Sequence, residues 1–346
     1  MSYAEAGVDI EAGDRAVQLI GDVVRRTHRP GVLGGLGGFS ALFELDLSRW
    51  PRPLLAASTD GVGTKIAIAR ALDVHDTVGI DLVAMLVDDL VCCGAEPLFL
   101  QDYIACGKVI PERIAELVSG IATGCQLAGC ALVGGETAEH ADLMASDEYD
   151  VSGTAVGVVD ADRRLGAERV RTGDAVIAMG STGLHSNGYV LARRVLLRDA
   201  GLSLDEQPAE LGRALGPELL EPTRIYAGDC LALAAALEAR VFAHITGGGL
   251  VGNLARVVPE GHCAVVERAT WSPQPVFALI ADRGGVTPSE MERTFNMGVG
   301  MVAVVAAADA DTAVHLLTER GVPAWVAGQV AAEDGPGSVR LVGRHP

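Results

Sequence analysis

The segment from Gly79 to about Cys93 places the heaviest constraint on what this chain can fold into. Its middle, Ile-Asp-Leu-Val-Ala-Met-Leu-Val-Asp-Asp-Leu-Val, reads as a helix that is apolar almost all round. Such a helix has to be covered on every side, not along one stripe. The sequence nonetheless sets Asp81, Asp88 and Asp89 into it. Positions seven apart return to one helix face, so Asp81 and Asp88 point the same way. A carboxylate in an apolar layer is expensive unless it meets a metal, a cation or backbone N–H groups. One or two of these aspartates on a solvent-facing stripe would also satisfy the pattern. A metal is the preferred reading, because Asp60 supplies a further carboxylate.

Asp60 belongs to Ser58-Thr59-Asp60-Gly61-Val62-Gly63-Thr64-Lys65, which follows the apolar run Leu54 to Ala57. An apolar run ending in a glycine-punctuated polar turn reads as a strand delivering a loop to one edge of a sheet. Gly61 and Gly63 let backbone N–H groups approach a ligand, Asp60 adds a carboxylate and Lys65 a cation. That combination suits a magnesium-bound polyphosphate; an ordinary glycine turn with a solvated lysine reads equally well. It is not a P-loop, since no glycine directly precedes Lys65.

Composition narrows the classes. With 346 residues there is room for two ordinary domains, and 49% hydrophobic residues mark a globular chain. Aromatics at 4%, with abundant Ala, Val and Leu, favour an α/β core. A formal charge of −18 argues against nucleic acid and anionic membranes as partners, because either needs a concentrated basic face. The first residues show no basic start followed by an apolar core, and no apolar run reaches membrane-spanning length. The seven cysteines are odd in number and lack C-x-x-C spacing, which points to reduced thiols, a cytoplasmic location and no zinc site.

Further along the chain, residues 11 to 28 predict an amphipathic helix. Gly34, Gly35, Gly37 and Gly38 surround Leu36 in a loop suited either to phosphate approach or to a plain turn; Ser40 stands where G-x-G-x-x-G needs its last glycine. A strand over Glu96–Ile104 and a helix from Pro111 to Ala128 follow. A strand from Ala131 then ends in Gly134-Gly135-Glu136, and the acidic segment 142–150 reads as a mobile surface loop. The charged, poorly periodic stretch Asp160–Asp174 is the predicted boundary, with domains over 1–165 and 166–346.

The second half predicts strands at 175–179, 241–245 and 299–307, with helices near 188–199, 223–239, 250–258, 273–283 and 310–320 before closing strands. Gly183-Leu184-His185-Ser186-Asn187-Gly188 is a donor-rich strand-to-helix loop that would receive an anion, or a capping loop with a surface histidine. His244-Ile245-Thr246-Gly247-Gly248-Gly249 ends a strand and enters a helix, which suits a phosphate-binding turn. Glycines 247, 249 and 252 imitate a dinucleotide fingerprint, but Glu267 comes too early to be its ribose acid.

Taken together these segments resemble the aminoimidazole ribonucleotide synthetase (phosphoribosylformylglycinamidine cyclo-ligase) family. The resemblance runs nearly end to end, through AGVDIEAGD (6–14), GGLGGF (34–39), TDGVGTK (59–65), DTVGIDLVAMLVDDL (76–90) and GAEPLFLQDY (94–103). It continues through LVGGETAE (132–139), GLHSNGY (183–189), EPTRIY (221–226), HITGGGL (244–250) and TFNMGVGM (294–301). The histidine-bearing GLHSNGY and HITGGGL, with TFNMGVGM, narrow the match from the wider superfamily to the cyclo-ligases. Gly21 replaces a lysine often found in the family's first helix, Asp88 replaces a frequent Asn, and Ala141-Asp142 replaces the usual Pro-Gly.

The resemblance implies an α/β (α+β) homodimer of two-domain subunits, each domain a mixed sheet packed with helices. The N-terminal domain would bind ATP and metal and form the dimer, and a cleft between the domains would hold MgATP and formylglycinamidine ribonucleotide. The implied reaction is ATP-dependent closure of that substrate to 5-aminoimidazole ribonucleotide, through phosphorylation of the formyl amide oxygen. Asp60, Asp81, Asp88 and Glu136 would hold magnesium. Lys65 and the backbone of Gly34, Gly35, Gly37 and Gly38 would bind phosphates, with Thr59, Gly61, Gly63, Thr64, Gly134 and Gly135 completing the ATP site. His185 and Asn187 would donate from the second domain. His244, with Thr246, Gly247 and Gly248, would hold the ribonucleotide phosphate or polarise the amide. A superfamily kinase, a formylglycinamidine ribonucleotide synthetase and a non-catalytic nucleotide-binding scaffold are the alternatives.

Overall fold

A computed structural model describes residues 7–35 and 37–346, so Leu36 of the first glycine loop and Ala6 of the first motif lie outside the described residues. The chain divides into two compact units, one comprising Met1–Leu90 with Glu96–Asp162, the other Val91–Ala95 with Arg163–Pro346. The units part slightly before the predicted 165/166 boundary, and the short Val91–Ala95 segment belongs to the second unit.

In the first unit, α1 (Ile10–Arg25) starts where the Asp9 carboxylate accepts from the Ala12 N–H. A short antiparallel pair, β1 (Val32–Leu33) and β2 (Leu42–Phe43), precedes β3 (Pro53–Gly61). Then come α2 (Ile66–Leu72), α3 (Asp76–Val91), β4 (Glu96–Cys106), α4 (Pro111–Ala128), β5 (Ala131–Glu139) and β6 (Tyr149–Asp160). Proline at the first turn of α4 costs no hydrogen bond, and Gly129 ends that helix in the left-handed conformation. The four strands are ordered β3-β6-β4-β5. Only β4 and β5 are parallel, joined through α4 as a β-α-β crossover.

The register fixes the faces of this sheet. Asp60, Gly153, Asp102 and Gly135 form one row across it, and Gly61, Ser152, Tyr103 and Glu136 form the next. A Cβ on Gly153 would touch Leu82 and Leu86 of α3, so the Asp60 row faces the helical layer. Neighbouring rows alternate faces, so the Glu136 row faces away from it. The apolar helix α3 is buried as its sequence requires: Leu82 to Val87 are nearly inaccessible.

The second unit contains β7 (Ala175–Gly180), α5 (Tyr189–Arg193), α6 (Leu215–Leu219), α7 (Ala227–Ala236) and β8 (Ala239–His244). It continues with α8 (Gly249–Leu254), β9 (His262–Glu267), α9 (Pro275–Gly284), α10 (Pro288–Thr294) and β10 (Val299–Val305). The chain closes with α11 (Ala310–Glu319), β11 (Ala324–Ala332) and β12 (Ser338–Val342). Its six strands run β12-β9-β11-β7-β10-β8, and only β12 and β9 are parallel. Strands β7 and β10 are buried along their whole length, as central strands should be.

Several expectations need correction. The predicted 188–199 helix is α5 followed by a π-helical turn over Arg194–Asp199. The 223–239 helix begins only at Ala227, because Tyr226 is buried and its hydroxyl donates to the Gly180 carbonyl. Strand β5 does not end at its glycines but runs through them to Glu139. The acidic loop stops short of Tyr149, which is buried at the start of β6. No helix among the described residues is long and apolar enough to cross a membrane.

Candidate functional site

Of the two buried carboxylates of α3, Asp81 finds a cation within the chain. Strand β3 carries Thr59 and Asp60 to its exposed end, and the turn at Gly63–Lys65 directs the lysine inward. Lys65 and Asp81 are both fully buried, with Nζ 2.8 Å from one carboxylate oxygen and 2.9 Å from the other. The expectation of a phosphate-binding Lys65 and a metal-binding Asp81 therefore changes: each neutralises the other inside the core. Asp88 is also fully buried, whereas Asp89 is exposed and accepts from Ser58 Oγ at 3.3 Å.

The proposed magnesium quartet does not fit one ion within one chain. Asp60 lies on edge strand β3 and Glu136 on the opposite edge strand β5. Three strand spacings separate them by about 14 Å, and they face opposite sides of the sheet. Oxygen ligands of magnesium stand only about 2 Å from the ion. Among the described residues no group of three or more His, Cys, Asp or Glu is arranged to hold a metal. Asp60 and Glu136 are each exposed, so either fits the smaller role of one carboxylate beside a metal–phosphate complex.

The glycine segments are brought together. A cavity of about 530 Å³ in the first unit is lined by Gly35, Gly37 and Gly38 of the first loop and by Gly134, Gly135 and Glu136 of β5. Its walls are aliphatic, with Ala16, Val17, Ile20 and Val24 from α1 facing Ile114 and Val118 from α4. Asp102 of β4 also enters it, a residue that sequence reading passed over. A Cβ on Gly135 would collide with the Asp102 carboxyl, so only glycine leaves room for it there. Burial pushes Asp102 up to about 7, partly offset by a hydrogen bond from its own backbone N–H. The available signal was a carboxylate inside a strand run that pairs with a glycine. Thr59, Gly61, Gly63 and Thr64 lie instead near the far edge of the sheet, where Thr59 and Thr154 share a 2.8 Å hydrogen bond.

In the second unit, three neighbouring strands deliver loops to one end of the sheet. Gly180 of β7 and His244 of β8 flank the start of β10. His185 is 1% exposed and takes a left-handed backbone, with φ 61°. Its Nε2 accepts the Thr182 N–H at 3.2 Å, and its ring lies 6.2 Å from that of Tyr226. A Cβ on Gly300 would strike both rings, so this glycine admits the pair. Through its Nε2, His185 thus helps to organise its own loop. His244 is likewise buried.

Asn187 is half-exposed, and its side-chain oxygen would lie 3.6 Å from a Cβ on Gly247, so the two predicted loops meet. Thr246 is half-buried, while Gly247 and Gly248 are exposed. Asn253 of α8, unnoticed in the sequence, donates to the Thr246, Gly247 and Gly249 carbonyls and fixes the turn. Asn296 similarly donates to the Gly183 carbonyl and accepts the Gly298 N–H at 2.8 Å. The result is a polar rim of backbone and amide groups on a rigid base, suited to an anion.

Comparison with known proteins makes the class of these two sheet-and-helix units definite. AIR synthase related protein, N-terminal domain, matches residues 46–159, and AIR synthase related protein, C-terminal domain, matches residues 171–340. The chain belongs to the AIR synthase family. It is 50% identical to the phosphoribosylformylglycinamidine cyclo-ligase of Anaeromyxobacter sp. (strain Fw109-5), over 99% of both chains. It is 52% identical to that of Myxococcus xanthus (strain DK1622), over 96% of this chain and 97% of the relative.

Solved structures share the fold at low identity. Thiamine-monophosphate kinase from Stenotrophomonas maltophilia K279a superposes with a TM-score of 0.68 at 19% identity, covering 94% of this chain and 96% of that one. The hydrogenase maturation protein HypE in complex with ATP gives 0.64 at 20% identity, covering 94% and 91%.

Proposed function

We propose that this chain is an ATP-dependent enzyme that closes formylglycinamidine ribonucleotide to 5-aminoimidazole ribonucleotide, releasing ADP and phosphate, in purine biosynthesis. The observation that carries this reading is the identity of about half its residues with cyclo-ligases along almost the whole of both chains. In the reaction the formyl amide oxygen takes the γ-phosphoryl group and ADP leaves. A substrate nitrogen then attacks the same carbon, the carbon–oxygen bond to phosphate breaks, and a proton is lost as the ring forms. The protein's task is to position two substrates and offset spreading phosphate charge.

The cavity of the first unit takes ATP. Its volume falls within the roughly 300–1,000 Å³ of small-molecule sites, and an ATP complex of the same fold supports nucleotide binding. Backbone N–H groups of the Gly34–Gly38 loop and of Gly134-Gly135 serve its phosphates. A magnesium ion bound with the nucleotide would offset phosphate charge, and Glu136, which lines the cavity, is the carboxylate this chain would offer it there; Asp60 lies on the opposite edge strand. In the second unit Asn187 and the Thr246–Gly248 backbone hold the ribonucleotide phosphate, while His185 and His244 shape those loops from beneath.

The chain works as a cytoplasmic homodimer. Leu55 is 69% exposed and Tyr103 40% exposed on the sheet face turned away from the helices, an apolar surface that a second copy would cover. The deciding experiment incubates pure protein with ATP, magnesium and formylglycinamidine ribonucleotide and assays aminoimidazole, ADP and phosphate. Absence of the ring product with a competent substrate would end the reading; ATP binding without turnover would favour a non-catalytic scaffold.

A further inference from the structure

We propose that Asp102 selects the base of the bound nucleotide, its carboxyl pairing with the exocyclic amine and the adjoining ring nitrogen of adenine. The inference rests on the reading that the first-unit cavity takes ATP. The walls from α1 and α4 are aliphatic, so they accept the faces of a flat ring but offer nothing to its polar edge. Polar side chains reach the cavity from β4 and β5: Gln101, Asp102, Glu136 and Thr137. Gln101 and Glu136 sit in rows turned away from the helical layer, and the Gln101 amide lies near Gly134 on that other face. Asp102 alone of the cavity's carboxylates belongs to the row that faces α3 and the helical layer.

The Asp102 side chain is also uncommitted. Its own backbone N–H donates to it, and no side chain among the described residues does. The missing Cβ of Gly135 gives it room. A neutral carboxyl presents one donor and one acceptor side by side. Adenine presents the complement, an amine donor beside a ring-nitrogen acceptor, the edge that asparagine reads in the same two-bond manner. An ionised carboxylate would accept from the amine but oppose the ring nitrogen's lone pair. Burial favours that neutral form, pushing the carboxyl up to about 7.

The test compares binding of ATP with binding of purine riboside 5′-triphosphate, which lacks only the amine, by calorimetry on the full chain. Wild type should prefer ATP by about tenfold, the worth of one well-formed hydrogen bond. Asp102→Asn keeps a donor beside an acceptor and should retain that preference within about threefold. Asp102→Leu should abolish it, leaving both nucleotides equal. An amine preference that survives Asp102→Leu overturns the proposal, as does loss of preference in Asp102→Asn with its circular dichroism unchanged. Turnover to aminoimidazole alongside either of those results means that the base assignment has failed and the cyclo-ligase reading has not. No ATP binding by wild type overturns both.

Discussion

Asp81 and Asp102 are two carboxylates of one unit that met opposite fates. Asp81 is fully buried and meets Lys65, so its charge is spent inside the core. Asp102 lies half-buried against a cavity, with no partnering side chain among the described residues and a carboxyl pushed up to about 7. The contrast shows that burial by itself does not mark a functional acid. What matters is whether the protein has already supplied the opposite charge.

The largest effect should come from breaking the paired carboxylate. Lys65→Met leaves Asp81 buried and uncompensated, and should lower unfolding free energy by about 3–5 kcal/mol in urea titrations. Adding Asp81→Leu should restore most of that loss, since an apolar pair can replace a buried ion pair. A double variant no better than the single one would break the comparison.

Removing the unpaired carboxylate should act in the opposite direction and only at higher pH. The folded Asp102 titrates above its unfolded value of 3.8, so its neutral form favours folding below about pH 4 and that contribution is lost as pH rises through 7. Asp102→Asn should therefore gain about 2 kcal/mol on wild type between pH 4 and pH 8, allowing for the group's partial exposure to solvent. Thermal unfolding across that range checks it. Gly135→Ala should cost about 2 kcal/mol, because its Cβ meets the Asp102 backbone carbonyl oxygen as well as its carboxyl. It should also weaken the amine preference in nucleotide binding. The smallest effect belongs to the surface: Ser58→Ala, which removes a 3.3 Å contact to exposed Asp89, should shift stability by less than about 0.5 kcal/mol.

Much of the scaffold was legible because local signals agreed with tertiary demand. Helix α4 begins at Pro111 and ends at Ala128 where its proline and glycine place it. The sequence leaves the first glycine loop open between phosphate approach and a plain turn, and the fold sets it beside the β5 glycines along one cavity. Strand β9 and helix α10 escaped notice. The first is a short run without clear alternation, and the second is a polar helix with Met291 as its buried residue and Thr287 as its cap. The magnesium quartet does not converge within one chain, for a reason that sequence cannot carry. Motif spacing says which residues end strands, but strand order decides that Asp60 and Glu136 occupy opposite edges. His185 looked like a donor from its loop, and only the fold shows its Nε2 already occupied by the Thr182 N–H.

The excursion of Val91–Ala95 into the second unit has a consequence for how the polypeptide comes off the ribosome. Cys93 offers its carbonyl to the Leu165 N–H and Cys92 to the Phe242 N–H, partners translated long after it. The amino-terminal half therefore leaves the exit tunnel with a stitch still open, to be closed only when the later half arrives. A nick or early stop near residue 162 would strand that stitch, because both of its partners lie beyond that point.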